Sequence, residues 1–509
     1  MSSRRVIVIG AGFSGLAAAS HLAKAGYEVQ LLEQHAQAGG RARSFEAEGF
    51  RFDMGPSWYW MPDIFARYFA AFGKRVEDLY DLRRIDPSYR VVWPQGAAWD
   101  VPAGLDALRG FFEGHQRGAG AALDRFIDQT RYIYESAVDD YLLRPSLSVS
   151  EFVDPRLVFE LGKLRMLRSM HRYAKSFFDD PRLVRLVEWP VLFLGASAKK
   201  TSAMYSLMAY ADMALGTWYP MGGMHRIIDA MVDVAVEQGV DLQLGQRVEA
   251  LVTKQGKVVG VQTEAGLHAC DAVVAAADYH HVEQNLLQAN DRQFREAQWD
   301  RKTMSPSSLL FYLGVRGSVD ALQHHTLFFD RDLDTHMREV YERPAWPKDP
   351  LFYVCAPSKT DPSVAPAGHE NLFVLVPLAP GLQDSDAERE RIFDTVVRRI
   401  EQSSGAPLRD RIVYRRDYAM RDFKQDYGAY KGNAYGMANT LRQTGPFKPP
   451  LRSRKVDNLY FAGQLTVPGP GMPPSLISGE LAAGVLAKDL GPSVRTGSPS
   501  REGVASIRA

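Results

Sequence analysis

Residues 5–33 read RVIVIGAGFSGLAAASHLAKAGYEVQLLE. The apolar run Val6 to Ile9 has the character of a buried strand and leads into Gly10-x-Gly12-x-x-Gly15. A small-residue helix is predicted from Leu16 to Lys24, then Gly26, then a second strand from Tyr27 to Leu32 that ends at Glu33. In such a strand–turn–helix unit the glycines permit a tight turn, close backbone approach to a pyrophosphate and close packing of helix on strand. The helix N-terminus offers unpaired N–H groups and the positive end of a dipole to the phosphates. Glu33 stands 18 residues beyond Gly15, where a carboxylate can accept both hydroxyls of an adenosine ribose. A glycine triad alone is a weak signal; strand, helix and acid together predict a dinucleotide-binding unit.

The next residues extend the site. Gly39-Gly40-Arg41-Ala42-Arg43 can lay a glycine pair beside a diphosphate and present the fixed Arg41 guanidinium to it. Phe50 to Asp53 and then Gly55-Pro56-Ser57 follow. At the far end, Val456 to Gly463 reads as a turn and buried strand, and Gln464 to Pro474 as a Gly/Pro loop. Ser475 to Leu490 has helical apolar spacing. Both chain ends therefore build one cofactor domain around an inserted middle.

These segments resemble the flavin amine oxidase and carotenoid desaturase superfamily, in particular the bacterial-type phytoene desaturases. The matching stretches are GAGFSG, then Glu33, then GGRAR, and at the C-terminus LYFAG with PGPGMPPSLISG. The stretches Gly432 to Gly436 and Leu441 to Pro449 fit the desaturases better than general amine oxidases. The resemblance implies FAD as cofactor, held by Gly10, Gly12, Phe13, Ser14, Gly15, Glu33, Gly40, Arg41, Gly55, Pro56 and Ser57. It adds the Val248 backbone at the adenine, and Gly463, Gln464, Met472, Pro473 and Ser475 along the flavin. Many superfamily members carry an acid where this chain has Gln464, so any charge-based role there is in doubt. Ala275 to Asp278 resembles the small-residue strand end beside the flavin.

The fold implied is α/β: a Rossmann-like FAD-binding domain with an inserted mixed β-sheet substrate domain and a helical membrane-associating subdomain. The expected segments are 1–90, 218–300 and 428–490 for the FAD-binding domain, 91–217 for a substrate and helical membrane-associating region, 301–427 for the rest of the substrate domain, and a disordered tail at 491–509. The activity implied is desaturation of a carotenoid hydrocarbon, phytoene to more conjugated carotenes such as lycopene. A hydride would leave an allylic carbon for the flavin and a proton would leave its neighbour. The alternatives are a later-step desaturase, an isomerase, a ketolase, or a non-enzymatic isoprenoid carrier of the same fold. An amine oxidase would want a flavin-linked cysteine near the C-terminal loop, and neither cysteine lies there.

Composition narrows the partners. The chain has 509 residues, 61 basic against 60 acidic, and a net charge of +1, which argues against nucleic acid as its main partner. Cys270 and Cys355 form no CxxC pair and suit a reducing compartment. No secretory segment or spanning helix is legible, and no metal-ligand spacing stands out. No second dinucleotide site is visible, so dioxygen or a membrane quinone is the expected electron acceptor. Between Pro155 and Lys200, ten basic residues stand against four acids, with apolar residues interleaved. That pattern suits a bilayer interface and a peripheral position on the cytoplasmic side of the membrane. A long hydrocarbon supports the same reading: at ~0.8 kcal/mol per buried CH₂, it cannot diffuse freely through water. Trp58-Tyr59-Trp60 and Trp218-Tyr219 are candidates to line a substrate tunnel. Asp139, Asp140 and Arg144 are candidates for a proton-handling group in the substrate cavity.

Overall fold

Val6, Ile7 and Val8 are wholly buried because both faces of the strand Arg5–Ile9 are covered, the situation of a strand inside a parallel sheet. The computed structural model describes residues 4–148, 168–194, 197–440 and 442–493. In it this strand is the centre of a five-stranded parallel sheet ordered Leu459–Phe461, Ala272–Ala275, Arg5–Ile9, Glu28–Leu32, Asp241–Gln243. Three distant parts of the chain thus meet in one sheet, with Val8 beside Val274 and Val274 beside Tyr460. The helix Phe13–Lys24 lies close on the sheet because position 15 has no side chain. A Cβ there would stand 1.7 Å from the Gly10 carbonyl oxygen. The helix predicted from Ser475 starts earlier, as Met472–Leu490. Pro473 and Pro474 fit its first turn, where no intrahelical N–H is needed.

A second sheet has seven strands, in the order Ile412–Tyr418, Ser307–Arg316, His369–Leu378, Phe352–Cys355, His325–Phe328, Tyr89–Val92, Ala98–Val101. All neighbours are antiparallel except His325–Phe328 with Tyr89–Val92. The period of two along a strand divides its side chains. Leu309, Phe311 and Leu313 share a core with Ile392, Val396 and Ile400 of the helix Asp386–Ser404. Ser308, Leu310, Phe373 and Leu375 face the opposite way and line a cavity. Tyr89 already belongs to this sheet, so a segment boundary at residue 90 cuts a strand.

Contacts fasten the seven-stranded sheet to the N-terminal segment 50–54. The buried Tyr312 hydroxyl donates to the Met54 carbonyl at 2.6 Å. Gly314 leaves room for the Phe50 ring, which a Cβ would meet at 2.5 Å. From the helical region that follows the first strands, Ala137, Leu207 and Met208 line the cavity. Within the described part of the basic stretch, Met170, Tyr173, Phe178, Leu183, Val184, Leu186 and Val187 are buried in the protein core. The apolar face of that part is therefore used for packing, correcting its reading as a bilayer-facing surface; residues 149–167, with the rest of the basic stretch's start, lie outside the described residues, as does the tail from 494. Among the described residues no helix is long and apolar enough to cross a membrane.

Candidate active site

Between the two sheets runs a cavity of about 1250 Å³, larger than the roughly 300–1,000 Å³ of ordinary ligand pockets. Its polar walls carry Gly10, Gly12, Phe13, Ser14, Glu33, Gly40 and Arg41 from the N-terminal segment. Gly55, Pro56, Ser57 and Val248 follow, and the C-terminal loop adds Gly463, Gln464, Met472, Pro473 and Ser475. Gly15 is not in the wall; it packs helix against strand behind the turn.

The turn is built from backbone. Gly10, at φ +95°, donates its N–H to the Leu32 carbonyl at 2.7 Å, and the Gly39 N–H reaches the Ala11 carbonyl at 2.8 Å. That second bond draws the Gly39-Gly40-Arg41 segment against the helix N-terminus. A Cβ on Gly12 would meet nothing nearer than 4.0 Å and would fill the space between turn and segment. This space is where a diphosphate fits. Glu33 is buried, its Oε2 accepting the Ala11 N–H at 2.8 Å and its Oε1 the His35 N–H at 3.0 Å. Each oxygen keeps a further lone pair for a ribose hydroxyl.

Arg41 sits over the Tyr427 ring, 4.9 Å from its centroid, and its buried Nε has no partner in the protein. Burial lowers its pKa, and the nearby Asp278 carboxylate opposes that shift. Burial raises the Asp278 pKa in turn, against Arg41 and the His281 and Tyr430 N–H groups that it accepts. An unpartnered guanidinium nitrogen in a lined cavity is what a bound diphosphate would satisfy. Arg41, Glu33 and the glycine cradle therefore fit FAD. Gln464 lines the cavity with its Nε2 donating to Asn433 Oδ1 at 3.1 Å, a neutral contact. Asp278, Tyr427 and Asn433 escaped sequence reasoning as site residues; for Asp278 the signal was its place at the end of the small-residue strand.

One part of the wall is apolar: Trp58, Trp60, Met61, Leu207, Met208, Leu310, Phe373 and Leu375. Tyr59, Trp218 and Tyr219 lie outside it, correcting their reading as tunnel residues. The chain is extended at 58–60, so Tyr59 points away from its neighbours and pairs its hydroxyl with Tyr80 at 2.9 Å. Trp218 and Tyr219 belong to the short strand Trp218–Pro220, paired with Leu82–Arg84. The Trp218 indole donates to the Leu215 carbonyl. Trp60 is anchored from behind: its Nε1 donates to Thr217 Oγ1 at 2.8 Å, which donates to Asp212 Oδ1 at 3.3 Å, and Tyr89 donates to Asp212 Oδ2 at 3.1 Å. Arg144 lines the cavity, while the side chains of Asp139 and Asp140 lie outside the described residues. His280 also lines the cavity, and its Nε2 bonds Glu296 at 3.0 Å.

Comparison with known proteins agrees with this arrangement. The family model of the flavin containing amine oxidoreductases matches residues 13–487. The chain is 43% identical to the carotenoid 3,4-desaturase of Haloarcula japonica over 492 residues, covering 96% of this chain and 99% of that protein. It is 33% identical to the zeta-carotene-forming phytoene desaturase of Myxococcus xanthus, over 94% and 93% of the two chains. Among solved structures, an oxidoreductase from Methanosarcina mazei superposes with a TM-score of 0.61 at 16% identity, over 95% of this chain and 100% of that one. At that identity the likeness concerns the fold. The chain belongs to the flavin containing amine oxidoreductase family. Within it the chain falls among the bacterial-type carotenoid desaturases, FAD-dependent oxidoreductases that act on CH–CH groups.

Proposed function

We propose that this protein introduces double bonds into an acyclic carotenoid, with phytoene as the first candidate substrate. One observation carries the reading: a single cavity passes from the dinucleotide cradle to a wall of Trp58, Trp60, Leu310, Phe373 and Leu375. Bound FAD supplies the two-electron acceptor. The chain's own residues do the rest by position. Trp58 and Trp60 present flat faces along which a rigid polyene can lie. Leu310, Phe373 and Leu375 exclude water, so a charge-deficient polyene would not be trapped by it.

A second reading, desaturation at a later step on an already conjugated chain, is favoured by the higher identity with the carotenoid 3,4-desaturase than with phytoene desaturases. We place the protein on the cytoplasmic face of a membrane, with dioxygen or a quinone as the final acceptor. Phe447 supports the membrane position: it lines the cavity yet is 60% exposed, so the cavity meets the surface beside an apolar side chain. The exposed Arg442 lines the cavity close by in sequence.

The test is to express the full chain in bacteria supplying phytoene, and in parallel in bacteria supplying lycopene, and to separate the extracted pigments. New longer-wavelength polyenes in the phytoene strain support the first reading; conversion only of lycopene supports the second. Flavin-loaded protein that converts neither hydrocarbon overturns both.

A further inference from the structure

The strands His325–Phe328 and Phe352–Cys355 run antiparallel with His325 directly opposite Cys355. His324 precedes the first of these strands. One donor atom each from His324, His325 and Cys355 lie within 4.8 Å of one another, and all three residues are buried. None of the three is in the wall of the flavin and substrate cavity.

The hydrogen bonds around the cluster leave it prepared for a ligand. His324 uses Nδ1 toward Thr360 Oγ1 at 2.7 Å, and His325 uses Nδ1 toward the Tyr353 hydroxyl at 2.6 Å. Tyr353 gives its only hydroxyl proton to Ser57 Oγ at 3.1 Å, so its oxygen accepts from His325 Nδ1–H. The His325 Nε2 is then a bare lone pair. The Nε2 atoms of both histidines are buried with no partner, although the residues are only 3% and 0% exposed. Two imidazoles held through Nδ1 by hydroxyl groups, with Nε2 free, is the arrangement by which outer contacts orient metal ligands.

We propose that His324, His325 and Cys355 form a binding site for one thiophilic cation of the zinc class, separate from the flavin. Two imidazoles and a thiolate are a donor set for such an ion. The ion fastens the cavity wall from behind. Trp58 stacks on the His325 ring with centroids 4.0 Å apart and planes 15° apart, and Tyr353 and Ser57 are themselves wall residues. Its role is therefore positioning, without a redox step.

The experiment uses the full-length, flavin-loaded protein free of any histidine tag, equilibrated with zinc chloride and desalted. The expected result is about one zinc per chain by elemental analysis, with one sulfur and two imidazole ligands by X-ray absorption. Cys355→Ser should lose the zinc while retaining flavin, and Cys270→Ser should keep it. Because the chain has only two cysteines, a sulfur ligand in Cys270→Ser identifies Cys355 even if Cys355→Ser fails to fold. Wild-type protein that holds no stoichiometric zinc, zinc bound through oxygen and nitrogen alone, or full occupancy in a folded Cys355→Ser variant would each overturn the proposal.

Discussion

A Cβ placed on Gly479 would stand 2.1 Å from the Ser14 carbonyl oxygen. The C-terminal helix Met472–Leu490 therefore lies directly against the N-terminal helix Phe13–Lys24, with backbone touching backbone. The loop before the C-terminal helix and the turn before the N-terminal one together wall the flavin site. The contact that closes the chain ends therefore also sets the two walls of the cradle against each other.

Gly479→Ala should consequently destabilise the protein, since backbone cannot yield as a flexible side chain can. A loss of roughly 1–3 kcal/mol is expected from such overpacking. Gly484→Ala, on the exposed side of the same helix with nothing within 4 Å, should stabilise by up to about 1 kcal/mol. Thermal unfolding of the two variants checks the pair, and equal effects would remove the close-packing explanation.

Gly12→Val should behave differently. Its side chain would meet no protein atom nearer than 4.0 Å in its first carbon, so the fold should persist while the cradle is filled. The expected protein is folded by circular dichroism and purified nearly free of flavin. Full flavin occupancy in this variant would displace the diphosphate from the position assigned to it.

Glu33→Gln removes the charge that two backbone N–H groups orient toward the cavity. Hydrogen bonds to charged groups contribute roughly 1.5–3 kcal/mol, so FAD should bind about ten- to a hundredfold more weakly. Arg41→Ala should weaken it similarly by uncovering the diphosphate and leaving Asp278 without its opposing charge. Titration of the apoproteins with FAD, followed by flavin fluorescence, decides both; unchanged affinity counts against the assignment.

Asp212, buried behind Trp60, is pushed up to about 7 from an ordinary 3.8 by desolvation. Between those values the folded state binds more protons than the unfolded state, so stability falls as pH rises. The contribution is complete below the unfolded value and is lost as pH passes the folded one, with a slope of at most ~1.4 kcal/mol per pH unit. Asp212→Asn should abolish this slope. From about pH 5 to about pH 8 the wild type should lose on the order of 2 kcal/mol relative to the variant. Parallel denaturation curves at both pH values would show that Asp212 is already ionised in the fold.

The residues carrying local signals were legible without a structure. Gly10, Gly12, Glu33 and Arg41 are placed by strand, turn and helix within a few dozen positions, and the Gly/Pro loop before Met472 by its own composition. The alternation that turns Tyr59 away from Trp58 and Trp60 was not legible, because an isolated aromatic triplet shows no direction. Nor was the inward packing of Leu183 and Leu186, since a basic amphipathic stretch reads alike whether its apolar face meets a core or a bilayer.

By itself, then, the amino-acid order determined a dinucleotide-binding α/β unit closed by both chain ends, through short-range spacing and glycine sterics; its flavin and its apolar substrate were expectations that the family resemblance implied. Only the tertiary structure decided which tryptophans form the cavity wall, that Asp278 opposes Arg41, and that Cys355 comes beside His324 and His325. These depend on the register of strands joined by long connections, and a register is chosen by packing across the whole sheet.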